Sequence, residues 1–410
     1  MKKTILFIIP LILFCFIGCQ SKDDDFDSVP VSAPVHVSSP TVKKELSEEK
    51  IDSTVSKTYN SQYLTFCNKL FQDTFRNENY IFSPLSLYVA LSMTSNGAKG
   101  DTLNEFGKLL CEGDFDKAKL NEYNKKIIEN AKLLDSYNIA DSIWERENVE
   151  KTFKDIVKKE YDTDVAPLTT AKHINQWVNE KTKGKITNII DEVNIEDEAI
   201  IVNAIYFYGK WLDPIEKECI KKDVFFLENG KEVNVDFMLI PDYWTSVMAY
   251  KGGYVLSVVF KNNCKIFLFL PPQGEKLKDY VKKIDFKDIN SLKSEDGEWI
   301  VKIPKYKISS NLDFSEILKT LGLVKCFYTD SCDLSGICKG VFISGVFQKA
   351  TIDLNEKGVE ATAATAIPAA LGVPVHLPKD LTFNRPFAFM IYNSSNDTPV
   401  FFGSVYNPKE

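Results

Sequence analysis

The feature that most constrains this chain is a run of small residues that follows a strand-like segment near its carboxyl end. Apolar residues alternate over 341–354, which predicts a strand, and the next stretch, 356–366, consists mainly of alanine and threonine. A segment that must insert between two packed strands needs such residues, because a large side chain would block entry and a charge would be buried unpaired. Gly358 would supply a flexible joint at the entrance. The alternative interpretation is a surface loop without function.

This segment resembles the hinge of a serpin, a serine protease inhibitor, and the apolar stretch after it resembles the reactive loop of that family. The loop spans about 356–382, and the chain re-enters the body near Phe383. The hinge residues that the resemblance implies are Glu356, Gly358, Val359, Glu360, Ala361, Thr362, Ala363, Ala364 and Thr365. Alternate residues from Val359 to Thr365 are small and uncharged, so this set would face inward after insertion. The set that begins at Glu360 would face outward.

Other motifs resemble the same family, in the same order along the chain. They are Ser-Pro-Leu-Ser at 83–86 with Gly-Ala-Lys-Gly at 97–100, Asn-Gln-Trp-Val at 175–178, Val-Asn-Ala at 202–204, and Gln-Lys-Ala at 348–350. The resemblance covers about 59–408. It implies an α+β serpin fold with a large central mixed or antiparallel sheet, further sheets, surrounding helices and an exposed reactive-centre loop. Periodicity alone predicts helices over 59–75 and 312–321 and strands over 250–260, with Gly252-Gly253 as a turn, and over 299–308.

In serpins, two serines, an asparagine and a histidine form a network where the central sheet must part. The matching residues are Ser83, Ser86 and Asn203, and Gln348 stands at the histidine position. Glutamine can hydrogen-bond but does not titrate, so we expect no pH-sensitive opening. Both serines would also cap a helix, because Ser-Pro favours a helix start.

The resemblance implies inhibition by trapping. The native sheet would leave a strand-sized slot unfilled, and the hinge would fill it once a protease had cut the loop and formed a covalent acyl complex. Glu356 and Lys305 match a pair that braces the hinge, so we predict that they lie close together. Pro368 would fall in the inserted strand without an amide to donate, which could slow or shorten insertion.

We expect the scissile bond within a five-residue window. Counting the family's usual loop length forward from Glu356, or back from Phe383, ends within this window. The window consists of Leu371, Gly372, Val373, Pro374 and Val375. It holds no lysine or arginine, which favours an elastase-like or subtilisin-like target with an apolar primary pocket. Two alternatives stay open: an inhibitor of papain-like cysteine proteases, because Leu371 precedes Gly372, and a non-inhibitory serpin that acts as a surface binding protein.

The amino-terminal residues predict export and anchoring. Residues 1–18 read as a lipoprotein signal peptide, and Phe-Ile-Gly-Cys resembles a bacterial lipobox that would place lipid on Cys19. Residues 19–58 predict an acidic and Ser/Pro-rich flexible tether, and 59–410 the serpin domain. The acidic run after Cys19 resembles a surface-export tag, with an ordinary solvated linker as the alternative. We expect an extracellular protein anchored by lipid to a bacterial outer membrane.

Composition and motifs argue against several other functions. The formal net charge is −7 without a basic cluster, so nucleic acid is not an expected partner. The chain has three histidines, no Gly-x-Ser-x-Gly elbow and no phosphate-binding loop, so we expect neither an enzyme nor a cofactor or metal. The cysteines favour buried free thiols, with one bridge among Cys326, Cys332 and Cys338 as the alternative. We expect a monomer.

Overall fold

The structure, a computed structural model, describes residues 53–134, 137–146, 149–163, 165–359 and 378–409. The helices are α1 (Ser53–Thr74), α2 (Pro84–Ser95), α3 (Gly100–Cys111), α4 (Lys117–Leu134), α5 (Lys151–Tyr161), α6 (Ala171–Lys181), α7 (Leu277–Val281) and α8 (Ser315–Thr320). The strands are β1 (Tyr80–Phe82), β2 (Tyr137–Glu145), β3 (Val165–Pro167), β4 (Ala199–Phe207), β5 (Ile220–Phe226), β6 (Glu232–Ile240), β7 (Thr245–Tyr250), β8 (Gly253–Val259), β9 (Cys264–Leu270), β10 (Trp299–Pro304), β11 (Tyr306–Asp313), β12 (Ile343–Asn355), β13 (Gly358–Val359), β14 (Lys379–Thr382), β15 (Phe387–Asn393) and β16 (Thr398–Val405).

The central sheet has the strand order β11–β12–β4–β2–β3, and β13 pairs with the end of β12. The pairs β12–β4 and β2–β3 are parallel, whereas β11–β12 and β2–β4 are antiparallel, so the sheet is mixed. Every residue of β4 is buried, as expected of a central strand that is apolar on both faces. The predicted α+β fold with a large mixed central sheet is confirmed.

Helices cover both faces of the central sheet. Every residue of α2 is buried, and this helix contacts β2 and β4 on one side and β16 on the other. β16 belongs to a second sheet of order β1–β16–β15–β9–β8–β7, and a third sheet has the order β14–β10–β6–β5. On the opposite face of the central sheet, Ile174 and Val178 of α6 form a separate apolar core with Trp144 and Ile200. α2 is therefore enclosed between two sheets.

Two predicted strand segments each contain residues of two strands. The turn predicted at Gly252-Gly253 lies one residue earlier, at Lys251 and Gly252, which both have positive φ angles and separate Tyr250 of β7 from β8. The segment 299–308 divides at Lys305 into β10 of the third sheet and β11 of the central sheet. The bend predicted at Pro304 is confirmed, because proline has no amide to continue the ladder.

Two helix boundaries also differ from the sequence-based ones. α1 begins at Ser53, inside the range 19–58 that we predicted as tether. The helix predicted over 312–321 begins only at Ser315, because Leu312 continues β11 opposite Gln348. Both differences are at the ends of helices, where the local spacing of apolar residues does not show which neighbouring element the chain packs against.

Cysteines, membrane-spanning helices and metal clusters can be assessed within the described ranges. None of the seven cysteines there forms a disulfide, so the alternative of a bridge among Cys326, Cys332 and Cys338 is not seen. None of the helices described is long and apolar enough to cross a bilayer. The same residues contain no group of three or more histidine, cysteine or carboxylate side chains arranged to hold a metal ion.

Candidate functional site

The candidate site is the boundary between β4 and β12, which we call the seam. Eight residue pairs join the two strands in parallel, from Ile343 opposite Ala199 to Thr351 opposite Tyr206. Beyond Thr351, β12 pairs with β13 instead of β4. The seam is therefore closed along most of its length and divides only at the end where the hinge begins.

The expectation of an unfilled slot in the sheet is wrong. β4 and β12 pair with each other directly, since an empty slot would leave two rows of backbone amides and carbonyls without partners. A new strand between them must first break the hydrogen bonds of the seam.

The hinge turns back on β12 and starts an antiparallel strand at the divided end of the seam. Residues 356–357 make the turn, and Gly358 and Val359 then pair with β12. The amide of Val359 donates to the carbonyl of Gly209, just after β4, at 2.6 Å. Val359 is only 1 % exposed, which agrees with the inward orientation predicted for the set that begins there.

Only glycine fits at position 358. Its φ of +109° lies in the region that other residues rarely adopt, and a Cβ there would lie 2.3 Å from the Gly209 carbonyl oxygen and 2.7 Å from the Trp211 nitrogen. The sequence suggested a flexible joint. In the structure Gly358 is instead a buried point of close backbone contact.

Glu356 and Lys305 brace this turn, as predicted. Lys305 Nζ lies 2.7 Å from Glu356 Oε2, and each side chain keeps about 30 % of its surface exposed (31 % and 29 %). The hydrogen bond from Lys305 lowers the pKa of the Glu356 carboxyl. Because Lys305 occupies the break between β10 and β11, the ion pair joins the third sheet to the hinge.

A row of buried polar side chains crosses the central sheet at one register level. Asp141 of β2 lies opposite Asn203 of β4, which lies opposite Gln348 of β12. The Asn203 amide nitrogen donates to Asp141 Oδ1, and its oxygen accepts from Gln348 Nε2. The second of these bonds crosses the seam. The three side chains are 5 %, 0 % and 1 % exposed respectively.

Ser83 and Ser86, at the start of α2, contact this row from below. Asn203 also donates to Ser86 Oγ, which in turn donates to Asp141 Oδ1 at 3.2 Å. Gln348 accepts from the Ser83 amide at 2.6 Å and donates to the Ser83 carbonyl at 2.9 Å. The structure thus brings the four predicted network residues together.

The Ser83 side chain has a capping role, as the Ser-Pro pair suggested. Its oxygen accepts from the Ser86 amide at 3.1 Å and donates to the Val400 carbonyl of β16 at 2.6 Å. Ser83 therefore fixes the first turn of α2 against the second sheet. Its backbone, not its hydroxyl, contacts Gln348.

Asp141 is a network member that the sequence analysis missed. It shares the alternation of Tyr137 and Ile143 in β2, and this pattern could have placed its carboxylate on the core face. Burial raises the pKa of Asp141 from its usual 3.8 to about 8, against the lowering effect of the bonds from Ser86 and Asn203. The expectation of a network without a titrating group is therefore wrong, although Gln348 itself does not titrate.

Several predicted site residues lie outside the described residues. They are the hinge residues Glu360, Ala361, Thr362, Ala363, Ala364 and Thr365, together with Pro368, the window Leu371, Gly372, Val373, Pro374 and Val375, and the lipidation residue Cys19.

We predict that the hinge ion pair contributes modestly to stability. A double-mutant cycle with Lys305→Met and Glu356→Gln should give a coupling energy of about 0.5–1 kcal/mol in urea unfolding, because both groups are partly exposed. Since the pKa of Glu356 is lowered in the fold, the coupling should be present at neutral pH and be lost as the pH falls through that lowered pKa. The reversed pair, Lys305→Glu with Glu356→Lys, is the control and should recover much of the coupling. A coupling that is unchanged by acid would contradict the assignment.

We also predict a large cost for removing the centre of the polar row. Asn203→Ala removes one buried hydrogen-bond partner from each of Asp141, Ser86 and Gln348, and it should lower the free energy of unfolding by about 2–4 kcal/mol. The control is Asn311→Ala, an exposed residue of β11 whose amide donates to the Ile189 carbonyl at 3.0 Å; its cost should be about 1 kcal/mol or less, at most one ordinary hydrogen bond. Equal costs for the two variants would argue against a buried network.

Known proteins resemble this chain in sequence and in fold. A protein-family model for serpins (serine protease inhibitors) matches residues 61–408. Alpha-1-antiproteinase S of Cavia porcellus is 30% identical over 355 residues, which cover 80% of this chain and 85% of the relative. Tengpin, a thermophilic serpin in its native state, is 29% identical with a TM-score of 0.79, over 88% of this chain and 96% of tengpin. Human thyroxine-binding globulin, 23% identical, shares the fold with a TM-score of 0.76 over 87% and 100%. The chain belongs to the serpin family.

Proposed function

We propose that this serpin inhibits serine proteases as a suicide substrate, trapping the acyl-enzyme by inserting its hinge into the seam. The target protease is the covalent partner, and the chain itself catalyses no turnover. Insertion of a cut reactive loop into the central sheet is the known mode of action of inhibitory serpins. The observation that carries the proposal for this chain is the register in which β13 begins.

β13 starts in register with both edges of the seam. Its antiparallel pairing with β12 sets Val359 opposite Leu354, and its bridge to the other edge sets Gly358 opposite Lys210. Continued along the chain, both registers bring residue 362 to the same level, opposite Thr351 on one side and Tyr206 on the other. Those two residues already face each other across the seam. A hinge strand would therefore enter without a slip on either edge.

The same register gives two hinge residues specific positions. Thr365 would lie between Asn203 and Gln348, where its hydroxyl could replace the bond that now crosses the seam. Pro368 would lie opposite Gly345, next to the register shift between Ile343 and Gly345 that ends the regular ladder. The missing amide of Pro368 would then affect only the last step of insertion, which favours an inhibitor over a non-inhibitory serpin.

The chemistry of trapping belongs to the protease. Its serine oxygen would attack the carbonyl of the scissile bond, forming an ester to the loop and releasing the new amino terminus. The freed hinge would then insert, exchanging one parallel ladder for two antiparallel ones. Each added hydrogen bond is worth about 1 kcal/mol net, so a full strand would contribute about 10 kcal/mol, comparable to the stability of an ordinary domain.

The expected target has an apolar primary pocket. The scissile window 371–375 contains leucine, glycine, valine and proline and no basic residue. Cleavage after Val373 is disfavoured, because Pro374 would follow the bond. An elastase-like or subtilisin-like serine protease fits this window. A papain-like cysteine protease is the second candidate, because such enzymes read the residue before the cleaved one and Leu371 precedes Gly372.

The proposal is tested by incubating the purified protein with elastase, subtilisin, papain and trypsin. An elastase-like or subtilisin-like enzyme should form a complex that survives SDS. The intact mass of the released carboxyl-terminal fragment should place the cleaved bond within 371–375. Thr365→Arg, on the inward set, should convert inhibition into simple cleavage. Thr362→Arg, on the outward set, is the matched control and should retain the complex. Cleavage of the wild type without any complex would favour a non-inhibitory binding protein.

We also propose that the protein is a monomer anchored by lipid on Cys19 to a bacterial outer membrane, with its body held outside the cell. The support is the sequence of residues 1–58. Cys19→Ser should abolish incorporation of labelled palmitate and move the protein from the detergent phase to the aqueous phase. Protease treatment of intact cells should remove the body of the wild type. Unchanged partition of the variant would reject the anchor, and full protection in intact cells would reject the outward orientation.

A further inference from the structure

Asp141 is a buried carboxyl whose charge nothing nearby neutralises. Its Oδ1 accepts from Ser86 and Asn203, whereas its Oδ2 has no hydrogen-bond partner among the described residues. The side chain is 5 % exposed. An ionised carboxyl would therefore hold an unpaired negative oxygen away from water, which costs far more than burying a neutral acid.

The elements packed against Asp141 offer no compensating cation. α2 carries no charged residue, and its one titratable group is Tyr88. β3 contains no charged and no titratable residue. β4 contributes Tyr206 and no charge. The buried residues of α4 are uncharged, and its lysines and glutamates point to solvent or are only partly covered. On β2 itself, Tyr137 and Glu145 share the alternation of Asp141.

The remaining neighbour across the row, β12, is also uncharged on the core side. Val346, Gln348, Ala350 and Ile352 share that face, while the charged residues of β12 alternate to the other face. Burial is the largest influence on the pKa of Asp141, and no neighbouring charge is among its causes. The carboxyl is therefore kept as the neutral acid while the seam is closed.

Separation of the seam would change this environment directly. The bond from Gln348 to Asn203 crosses the seam, and Asn203 donates to Asp141. When β12 moves away from β4, Asn203 loses its bond to Gln348, and the gap opens over the first turn of α2, beside the Asn203 and Ser86 side chains that hold Asp141 of β2. Water that enters the gap reaches groups which the closed sheet seals off.

We propose that Asp141 makes opening of the seam pH-dependent: the neutral acid permits the closed sheet, and loss of its proton to solvent favours the open one. This inference relies on the proposed function only for its consequence, that loop insertion is faster in neutral and mildly alkaline solution than in acid.

The direction follows from the two protonation equilibria. In the open, hydrated state the carboxyl ionises near its ordinary pKa of 3.8, and in the closed state only near a pKa of about 8. Between these values, opening releases one proton, so the opening equilibrium constant rises by up to about tenfold for each pH unit. Below about pH 4 and above about pH 8 it should not change further.

Hydrogen exchange of the intact protein measures the opening without any protease. Protection factors of amides in β4 and β12 are compared with those in β15 and β16 of the same molecule, over a series from about pH 5 to pH 8. In the wild type, the protection factor of the β4 and β12 amides divided by that of the β15 and β16 amides should fall by up to about tenfold for each unit of rising pH. In Asp141→Asn, which keeps the Oδ1 acceptor without the charge, the ratio should stay constant. Asp353→Asn, on the outer face of β12, is the control and should behave as the wild type does.

Two outcomes would overturn the inference: a wild-type ratio that does not vary with pH, or an equal slope in Asp141→Asn. If that variant does not fold, the wild type alone decides. Its infrared spectrum at neutral pH should show the C=O stretch of a protonated carboxyl, which should disappear above about pH 8, and absence of this band would also reject the inference. A clear exchange slope in a protein that forms no protease complex would reject the proposed function and leave this inference standing.

Discussion

The hydrogen-bonded seam between β4 and β12 is the contact on which the rest of the structure depends. Eight residue pairs hold these two parallel strands together in the middle of a mixed sheet. Parallel pairing is slightly less stable per residue than antiparallel pairing. The seam is thus strong enough to give the chain a complete sheet, yet an antiparallel strand placed between the same edges would satisfy both of them better.

Three structural features lie at two positions along this seam, its divided end and its middle. At its divided end, Gly358 and Val359 are held between β12 and the Gly209 carbonyl, and the Lys305–Glu356 ion pair fixes the turn from outside. At its middle, Asn203 and Gln348 close the seam over the start of α2. In the proposed mechanism, the first point would set the register of an entering strand, and the second would set the cost of parting the sheet. Polar groups in an otherwise apolar core suit this position, because they hold the strands closed and can exchange partners when a new strand arrives.

Sequence reasoning identified the residues of the site better than the state of the sheet. The proximity of Glu356 to Lys305 and the meeting of Ser83, Ser86, Asn203 and Gln348 were predictable, because the resemblance ties each to a short motif. The closed seam was not, since no local pattern states whether two distant strands touch. Asp141 was missed because a lone carboxylate in an alternating strand is usually solvent-facing. Leu312 was assigned to a helix because an apolar period over few residues does not separate a strand end from a helix start.

We propose that the intact sheet is not the most stable arrangement that this chain can reach. Thermal unfolding of the intact chain and of the chain cut once within 371–375 tests that claim most directly. With about 10 kcal/mol gained from an inserted strand, the cut form should melt at least about 20 °C higher, because each kcal/mol shifts the melting temperature of a large domain by about 2–4 °C. A cut form that melts at the same temperature as the intact one, or below it, would contradict the account.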